Sequence, residues 1–185
     1  EDGRLIDLTR REALTDPLTG LGNRRRLMRD LDDRFEEPGA WLLVIYDLDG
    51  FKGYNDVFGH PAGDAMLARL GRKLEATVEG TGGLAYRLGG DEFCLLSGVG
   101  EDGISDLLER SIVALAESGE GFDVGCSFGA VILPEEAAHA EGALRLADER
   151  LYAQKHGKRT ERDRPHDLLL AALYESWSVP LAVLL

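Results

Sequence analysis

The sequence predicts an α+β domain with a strand–helix–strand–strand–helix–strand core. This is the ferredoxin-like arrangement, a central antiparallel sheet flanked by helices. Three observations carry that expectation. The run Trp41-Leu-Leu-Val-Ile-Tyr46 is continuously apolar and of strand length, the pattern of a strand buried on both faces in the centre of a sheet. Two more apolar runs, Leu84-Ala-Tyr86 and Phe93-Cys-Leu-Leu96, flank Gly89-Gly90-Asp91-Glu92 and read as a β-hairpin with that tetrad at its tip. The segments between the strands repeat apolar residues at three- and four-residue spacing, as helices covering a sheet do.

Taken in order, residues 1–14 are charged and weakly amphipathic and read as the end of a helix or linker arriving from upstream. Thr15-Asp-Pro-Leu-Thr-Gly-Leu-Gly22 interrupts regular structure at Asp-Pro and at two glycines. Asn23 then caps a helix over 24–36, with Leu27, Met28, Leu31 and Phe35 toward the core. Arg24, Arg25 and Arg26 fall in its first turn, where the helix dipole disfavours cations. They are either partnered by carboxylates, with Asp16 a candidate, or merely solvated. Pro38-Gly39 ends the helix ahead of the first strand. Residues 50–58 read as a short helix and Gly59-His-Pro-Ala-Gly63 as a turn. Residues 63–79 read as a helix with Leu67, Leu70, Leu74 and Val78 on one face. Gly80-Thr-Gly-Gly83 leads into the hairpin. A helix is expected over 104–117, a strand over 122–133 stopped by Pro134, and a helix over 142–155 with Leu144, Ala147 and Leu151 inward.

Composition limits what this chain does. Its 185 residues suffice for one domain with a short appendage, and 44% hydrophobic with 30% charged residues is an ordinary globular balance. A net charge of -13 argues against nonspecific binding to nucleic acid or to an anionic membrane surface. A phosphate-bearing ligand stays open, because a metal ion and a few local cations reverse the field inside one pocket. Cys94 and Cys126 sit in apolar runs and read as buried reduced thiols, which suits a cytoplasmic setting, and zinc spacing is absent. The opening Glu-Asp-Gly carries no charged-then-apolar leader, so no signal peptide is expected, and the start without Met reads as a piece cut from a longer chain. The apolar stretches after Arg162 are interrupted by Glu175 and Pro180, short of the ~20 residues a membrane span needs. Residues 161–185 are therefore read as a packing helix or the start of another domain, with no membrane insertion.

Two acidic clusters carry the chemistry. Glycines at the hairpin tip tolerate positive φ and admit close approach to the backbone. Taken alone, Asp91 and Glu92 there would be an ordinary turn. Asp47-Leu-Asp49 ends the central strand, where open α/β sheets present ligands. Two acids there and two on the tip point to a divalent cation. Hard oxygen ligands in small number suit Mg²⁺, with Mn²⁺ as an alternative, holding phosphate oxygens as well. Palm domains of nucleotide-polymerising enzymes place metal-binding carboxylates in this way, so the core is read as palm-type. Lys52 is either a partner for a terminal phosphate or a surface lysine balancing nearby acids. Asp64 is either a helix-start carboxylate favoured by the dipole or, with Asn55, a reader of the hydrogen-bonding edge of a base. His60 is read as structural. Lys155, Lys158 and Arg159 either complement a helix C-terminus or reach phosphates.

Over residues 14–160 the sequence resembles the GGDEF-domain diguanylate cyclases, a nucleotidyl cyclase-like group. The resemblance rests on Asp16-Pro-Leu-Thr-Gly-Leu-Gly-Asn-Arg-Arg25, Asp47-Leu-Asp-Gly-Phe-Lys52, Asn55 to His60, Gly63-Asp64, Arg87 to Phe93, and Ala147-Asp-Glu-Arg-Leu-Tyr-Ala-Gln-Lys155, in order and with familiar spacing. It implies a catalytic domain at 15–160 in which two GTP condense to cyclic di-GMP and two pyrophosphates across a homodimer. It implies Mg²⁺ held by Asp47, the Leu48 carbonyl and Asp91, with Glu92 as a further ligand or the base for the attacking 3′-hydroxyl. Gly89 and Gly90 line the substrate. Asn55 and Asp64 match the pair that reads guanine, and Lys52, Lys155 and Arg159 match phosphate contacts. Two features depart from the pattern. The window of the Arg-x-x-Asp inhibitory site found in many members reads Gly80-Thr-Gly-Gly83, so product inhibition through it is not expected. The glycine of Lys155-His-Gly-Lys-Arg159 lies one place early. A GTP- or cyclic di-GMP-binding regulatory module without catalysis is the alternative.

Overall fold

The computed structural model describes residues 13–99 and 103–160, with side chains as far as Gly157. The expected upstream helix and the C-terminal extension lie outside the described residues. The chain divides into two units, 1–155 and 156–185, and the architecture below is that of the first.

Its elements are α1 (Arg24–Glu36), β1 (Trp41–Asp49), α2 (Phe51–Phe58), α3 (His60–Thr77), β2 (Leu84–Gly89), β3 (Glu92–Gly98), α4 (Gly103–Ala114), β4 (Glu117–Gly119), β5 (Phe122–Leu133) and α5 (Ala140–Thr160). The strands form one sheet in the order β2-β3-β1-β5-β4, and every neighbouring pair is antiparallel. Without the three-residue β4 this is the expected ferredoxin-like sheet. β1 lies at its centre because it is apolar on both sides. Leu43 and Ile45 pack against Leu27 and Leu31 of α1 and Ala143, Ala147 and Leu151 of α5. Leu42, Val44 and Tyr46 point to the other face and are equally buried. There the Tyr46 hydroxyl donates to Ser111 Oγ of α4 at 2.6 Å, which satisfies a phenol that burial would otherwise leave without a partner.

α1 begins at the expected cap, with Asn23 Oδ1 accepting from the Arg26 N–H at 3.1 Å. Leu27 and Leu31 are fully buried, and Met28 and Phe35 pack partly against the same core. The basic first turn is resolved differently from the Asp16 expectation. Arg26 pairs with Asp30 one turn along, and Asp16 belongs to Arg87.

Three element boundaries differ from the sequence reading. α3 starts at His60, three residues early, and the expected turn does not form. Gly59 precedes it at φ 84 and Pro61 occupies its first turn, where a missing N–H costs nothing. A proline read as a breaker is here a helix starter. Asp64 therefore lies beyond the first turn and has no capping role. α4 stops at Ala114, and the chain turns into β4, which no apolar pattern announced. Glu117 anchors β4 to α3 by accepting from Arg69 at 2.7 Å and from Lys73 at 3.1 Å. α5 extends the expected 142–155 at both ends. Among the described residues no helix is long and apolar enough to cross a membrane.

Candidate active site

β2 and β3 are joined by Gly90-Asp91 alone. Gly89 at φ 147 and Gly90 at φ 51 adopt backbone that side chains rarely take, so the two glycines are set by the turn itself. The tip is pinned to the end of the central strand, where the Leu48 N–H donates to the Asp91 carbonyl at 3.2 Å. In the β1–β3 register Asp47 stands directly opposite Glu92. The two acidic clusters thus converge at one end of the sheet.

Asp47 and Asp49, two residues apart on β1, share one face of the strand, and different partners take them up. Ser127 Oγ on β5 donates to Asp49 Oδ2 at 2.7 Å, which ties that carboxylate to β5. Asp47 instead meets the Lys155 ammonium, which closes on its Oδ1 from α5. Lys155 therefore reaches the acids rather than only ending a helix. The side chain of Arg159 lies outside the described residues.

Burial and neighbouring acids make the hairpin carboxylates hard to ionise. Burial, then the nearby Asp47 charge, pushes the Asp91 pKa above its usual range, against the pull of Lys155 and Arg87. Burial also raises Glu92, with Arg24 opposing and Asp47, Asp148 and Asp91 adding. Among the described residues no three His, Cys, Asp or Glu side chains form a cage that could hold a metal alone. Two crowded carboxylates with room for water and phosphate oxygens still match the needs of Mg²⁺, which rarely uses an all-protein cage. The residues fit the ion on that ground.

Arg87 organises the tip. Its Nε and Nη2 donate to the Gly90 carbonyl at 3.0 and 2.8 Å. Its Nη1 donates to Asp16 Oδ1 and Oδ2 at 3.1 and 3.0 Å. Asp16 also accepts from the Thr19 N–H and hydroxyl at 2.9 and 2.8 Å. Burial works against its charge, but these bonds from Thr19 and Arg87 win and hold its pKa low. No local sequence pattern gives Arg87 this role. Only the hairpin spacing from Arg87 to Gly90 hinted at it.

Beside the tip opens a cleft of about 400 Å³. Lys52 and Asn55 of α2 and His60 and Asp64 of α3 line one part, and Arg87, Gly90 and Asp91 of the hairpin line another. Five expected site residues, Lys52, Asn55, Asp64, Gly90 and Asp91, thus meet in one cavity. Asp47, Glu92 and Lys155 form a second group at the strand ends, joined to the cleft through Asp91. Gly89 completes the turn. The arrangement offers cations for phosphates, crowded carboxylates for a metal, and an amide beside a carboxylate for a base edge.

Comparison with known proteins agrees in both sequence and structure. The family described as "Diguanylate cyclase, GGDEF domain" matches residues 13–161. The diguanylate cyclase DgcP of Pseudomonas aeruginosa is 38% identical over 165 residues, covering 84% of this chain and 24% of that protein. The chain thus spans about a quarter of that relative's length. A sensory box/GGDEF family protein from Caulobacter crescentus has 34% identity and a TM-score of 0.69, over 78% of this chain and 99% of that one. The coiled coil and GGDEF domain of DgcB from the same organism, solved in complex with c-di-GMP, has 27% identity and a TM-score of 0.68, over 83% and 86%.

Proposed function

The chain belongs to the GGDEF-domain family of diguanylate cyclases, and from that premise we propose that it condenses two GTP molecules into cyclic di-GMP with release of two pyrophosphates. In each half-reaction a 3′-oxygen bonds to the α-phosphorus of the other nucleotide, the bond to pyrophosphate breaks, and the hydroxyl proton leaves. One cleft holds one GTP, so two copies face each other as a homodimer. The observation that carries this reading is the meeting of Asp47 and Glu92 across β1–β3 with Asp91 on the tip that Leu48 pins.

Asp47, the Leu48 carbonyl and Asp91 would hold Mg²⁺, with Glu92 a further ligand or the base. When bound, the ion lowers the hydroxyl pKa and neutralises charge on the α-phosphate and leaving group. The chain does the rest by placement. Lys52 and Lys155 supply charge to the phosphates, Arg159 adds a further contact, and Gly89 and Gly90 let the nucleotide lie against the backbone. Asn55 and Asp64 present a donor and an acceptor to guanine. Glu92, whose pKa is raised chiefly by burial, is a stronger proton acceptor than an exposed carboxylate. The 80–83 connector carries neither charge of an Arg-x-x-Asp site, so the enzyme is free of product inhibition through that position.

The test is incubation with GTP and Mg²⁺ at several protein concentrations, with product identified by mass and ATP run in parallel. Cyclic di-GMP formed at a rate rising faster than linearly with protein, and lost in Asp91→Ala, supports the reading. Bound GTP with no product at any concentration returns the chain to the regulatory-module alternative.

A further inference from the structure

We propose that Gly63 is a specificity-determining residue: its missing side chain seats the Asn55 amide so that the cleft distinguishes guanine from other bases. The inference rests on the guanine reading of Asn55 and Asp64 above and adds the position that makes it work.

Gly63 is buried inside α3, in ordinary helical backbone, where its N–H donates to the Gly59 carbonyl at 3.1 Å. Nothing in its backbone calls for glycine, since its φ is not positive. Glycine in a helix interior costs about 0.5–1 kcal/mol relative to alanine. The neighbour explains the choice. A Cβ built on Gly63 would fall 1.9 Å from Asn55 Oδ1, 2.9 Å from Asn55 Cγ and 3.2 Å from Phe51 Cζ. The first distance is about half a normal contact. Asn55 can occupy its place on α2 only because residue 63 lacks a side chain.

The amide oxygen is the atom that lies on the Gly63 side. Asn55 Oδ1 is buried against α3 and has no hydrogen-bond partner among the described residues. Asn55 nevertheless lines the cleft, next to Asp64. With its carbonyl turned to the bare Cα of Gly63, Asn55 offers its amide nitrogen to the cavity. The cleft then presents a donor from Asn55 beside an acceptor from Asp64. That pair complements guanine, whose O6 accepts and whose N1–H and 2-amino group donate. Adenine carries a donor at the 6-position and no proton on N1, and meets both groups wrongly. Rotating the amide or pushing α2 outward breaks the match, and a methyl at 63 forces one or the other.

The experiment measures equilibrium binding of GTP and ATP to the full chain by calorimetry, with circular dichroism and Tm alongside. Gly63→Ala is expected to keep its helix content, to bind GTP at least tenfold more weakly, and to lose most of its preference for GTP over ATP. Asn55→Ala is expected to do the same, and Asn55→Ala/Gly63→Ala to be no worse than Asn55→Ala, because the atom that clashes is gone. If Gly63→Ala alone fails to fold, restoration of the fold in the double variant supports the same contact. A Gly63→Ala protein with wild-type affinity and preference overturns the proposal. So does a double variant whose losses add, which would make residue 63 a structural position independent of Asn55. A wild-type chain that binds GTP without preferring it to ATP overturns the guanine reading itself and this inference with it.

Discussion

Arg87 and Asp16, 71 residues apart in sequence, share one guanidinium–carboxylate contact at 3.0–3.1 Å that ties the loop before α1 to the β2–β3 hairpin. The other side of the same guanidinium holds the Gly90 carbonyl. The turn that carries Asp91 is thus braced by a side chain of its own strand, and that side chain is in turn held by a distant loop. Both partners are mostly shielded from solvent, with side chains 12% and 14% exposed, so the pair counts for more than a surface ion pair.

Removing either partner leaves the other charged and partly buried. Asp16→Ala is expected to lower stability by about 2 kcal/mol, read as a fall in Tm of ~4–8 °C, and to cut turnover more than GTP affinity. Arg87→Lys is expected to fail as a rescue, because an ammonium cannot hold two acceptors in the planar fork that Arg87 uses. Thermal melts and steady-state kinetics check both, and a fully active Asp16→Ala protein would sink the bracing role.

Lys155 serves Asp47 as an internal counter-ion. Lys155→Met removes that charge from beside two crowded carboxylates. GTP is expected to bind about tenfold more weakly, a loss of ~1.4 kcal/mol. Mn²⁺ without nucleotide is expected to bind more tightly, since it no longer competes with an ammonium. Calorimetry for GTP and paramagnetic resonance for Mn²⁺ read the two effects separately.

Asp91 is strained electrostatically in the folded chain. Its folded pKa is raised by burial and then by Asp47, so the native state holds its proton to higher pH than the unfolded chain does. The favourable contribution of the protonated acid is complete below the unfolded value, about 4, and is lost as pH rises through the folded value. Asp91→Asn is therefore expected to be more stable than wild type at pH 7.5. Screening of this half-exposed group limits the gain to about 1 kcal/mol, or ~2–4 °C in Tm. The difference should vanish near pH 3.5. A variant less stable than wild type at pH 7.5 would contradict the crowding of these acids.

Gly129 marks a close approach of α5 to the sheet. A Cβ there would meet the Ala147 carbonyl oxygen at 1.9 Å and the Leu151 nitrogen at 2.7 Å, both backbone atoms. Neither can yield without moving the helix, so Gly129→Ala is expected to cost about 3 kcal/mol or more. Denaturant unfolding would show it as a lowered midpoint with the slope retained. The neighbouring Gly125, which has open space at its Cβ, serves as the control.

The sequence by itself determined the order of the four longer strands along the chain, the hairpin tip and α1 with its cap, because each depends on local pattern: an unbroken apolar run, two glycines before two acids, and an asparagine before a 3.6-residue repeat. It also offered Asp47, Asp91, Glu92, Lys52, Asn55 and Asp64 as candidates, the acids from their two clusters and the base-reading pair from the resemblance of short motifs to a family. Tertiary structure alone decided what those residues touch. Asp47 and Asp49 are equivalent in the chain and share one face of β1, and only their partners, Lys155 and Ser127, separate them. Arg87 reaches Asp16, rather than Asp16 reaching the arginines beside it, because β2 lies next to the loop at 15–22. β4 has too few residues for a period and exists because Arg69 and Lys73 of α3 hold Glu117. Gly63 reads as a helix fault until Asn55 is packed against it. Periodicity records which face a residue turns to the core, whereas contact across the fold depends on elements distant in sequence, and no local pattern encodes that.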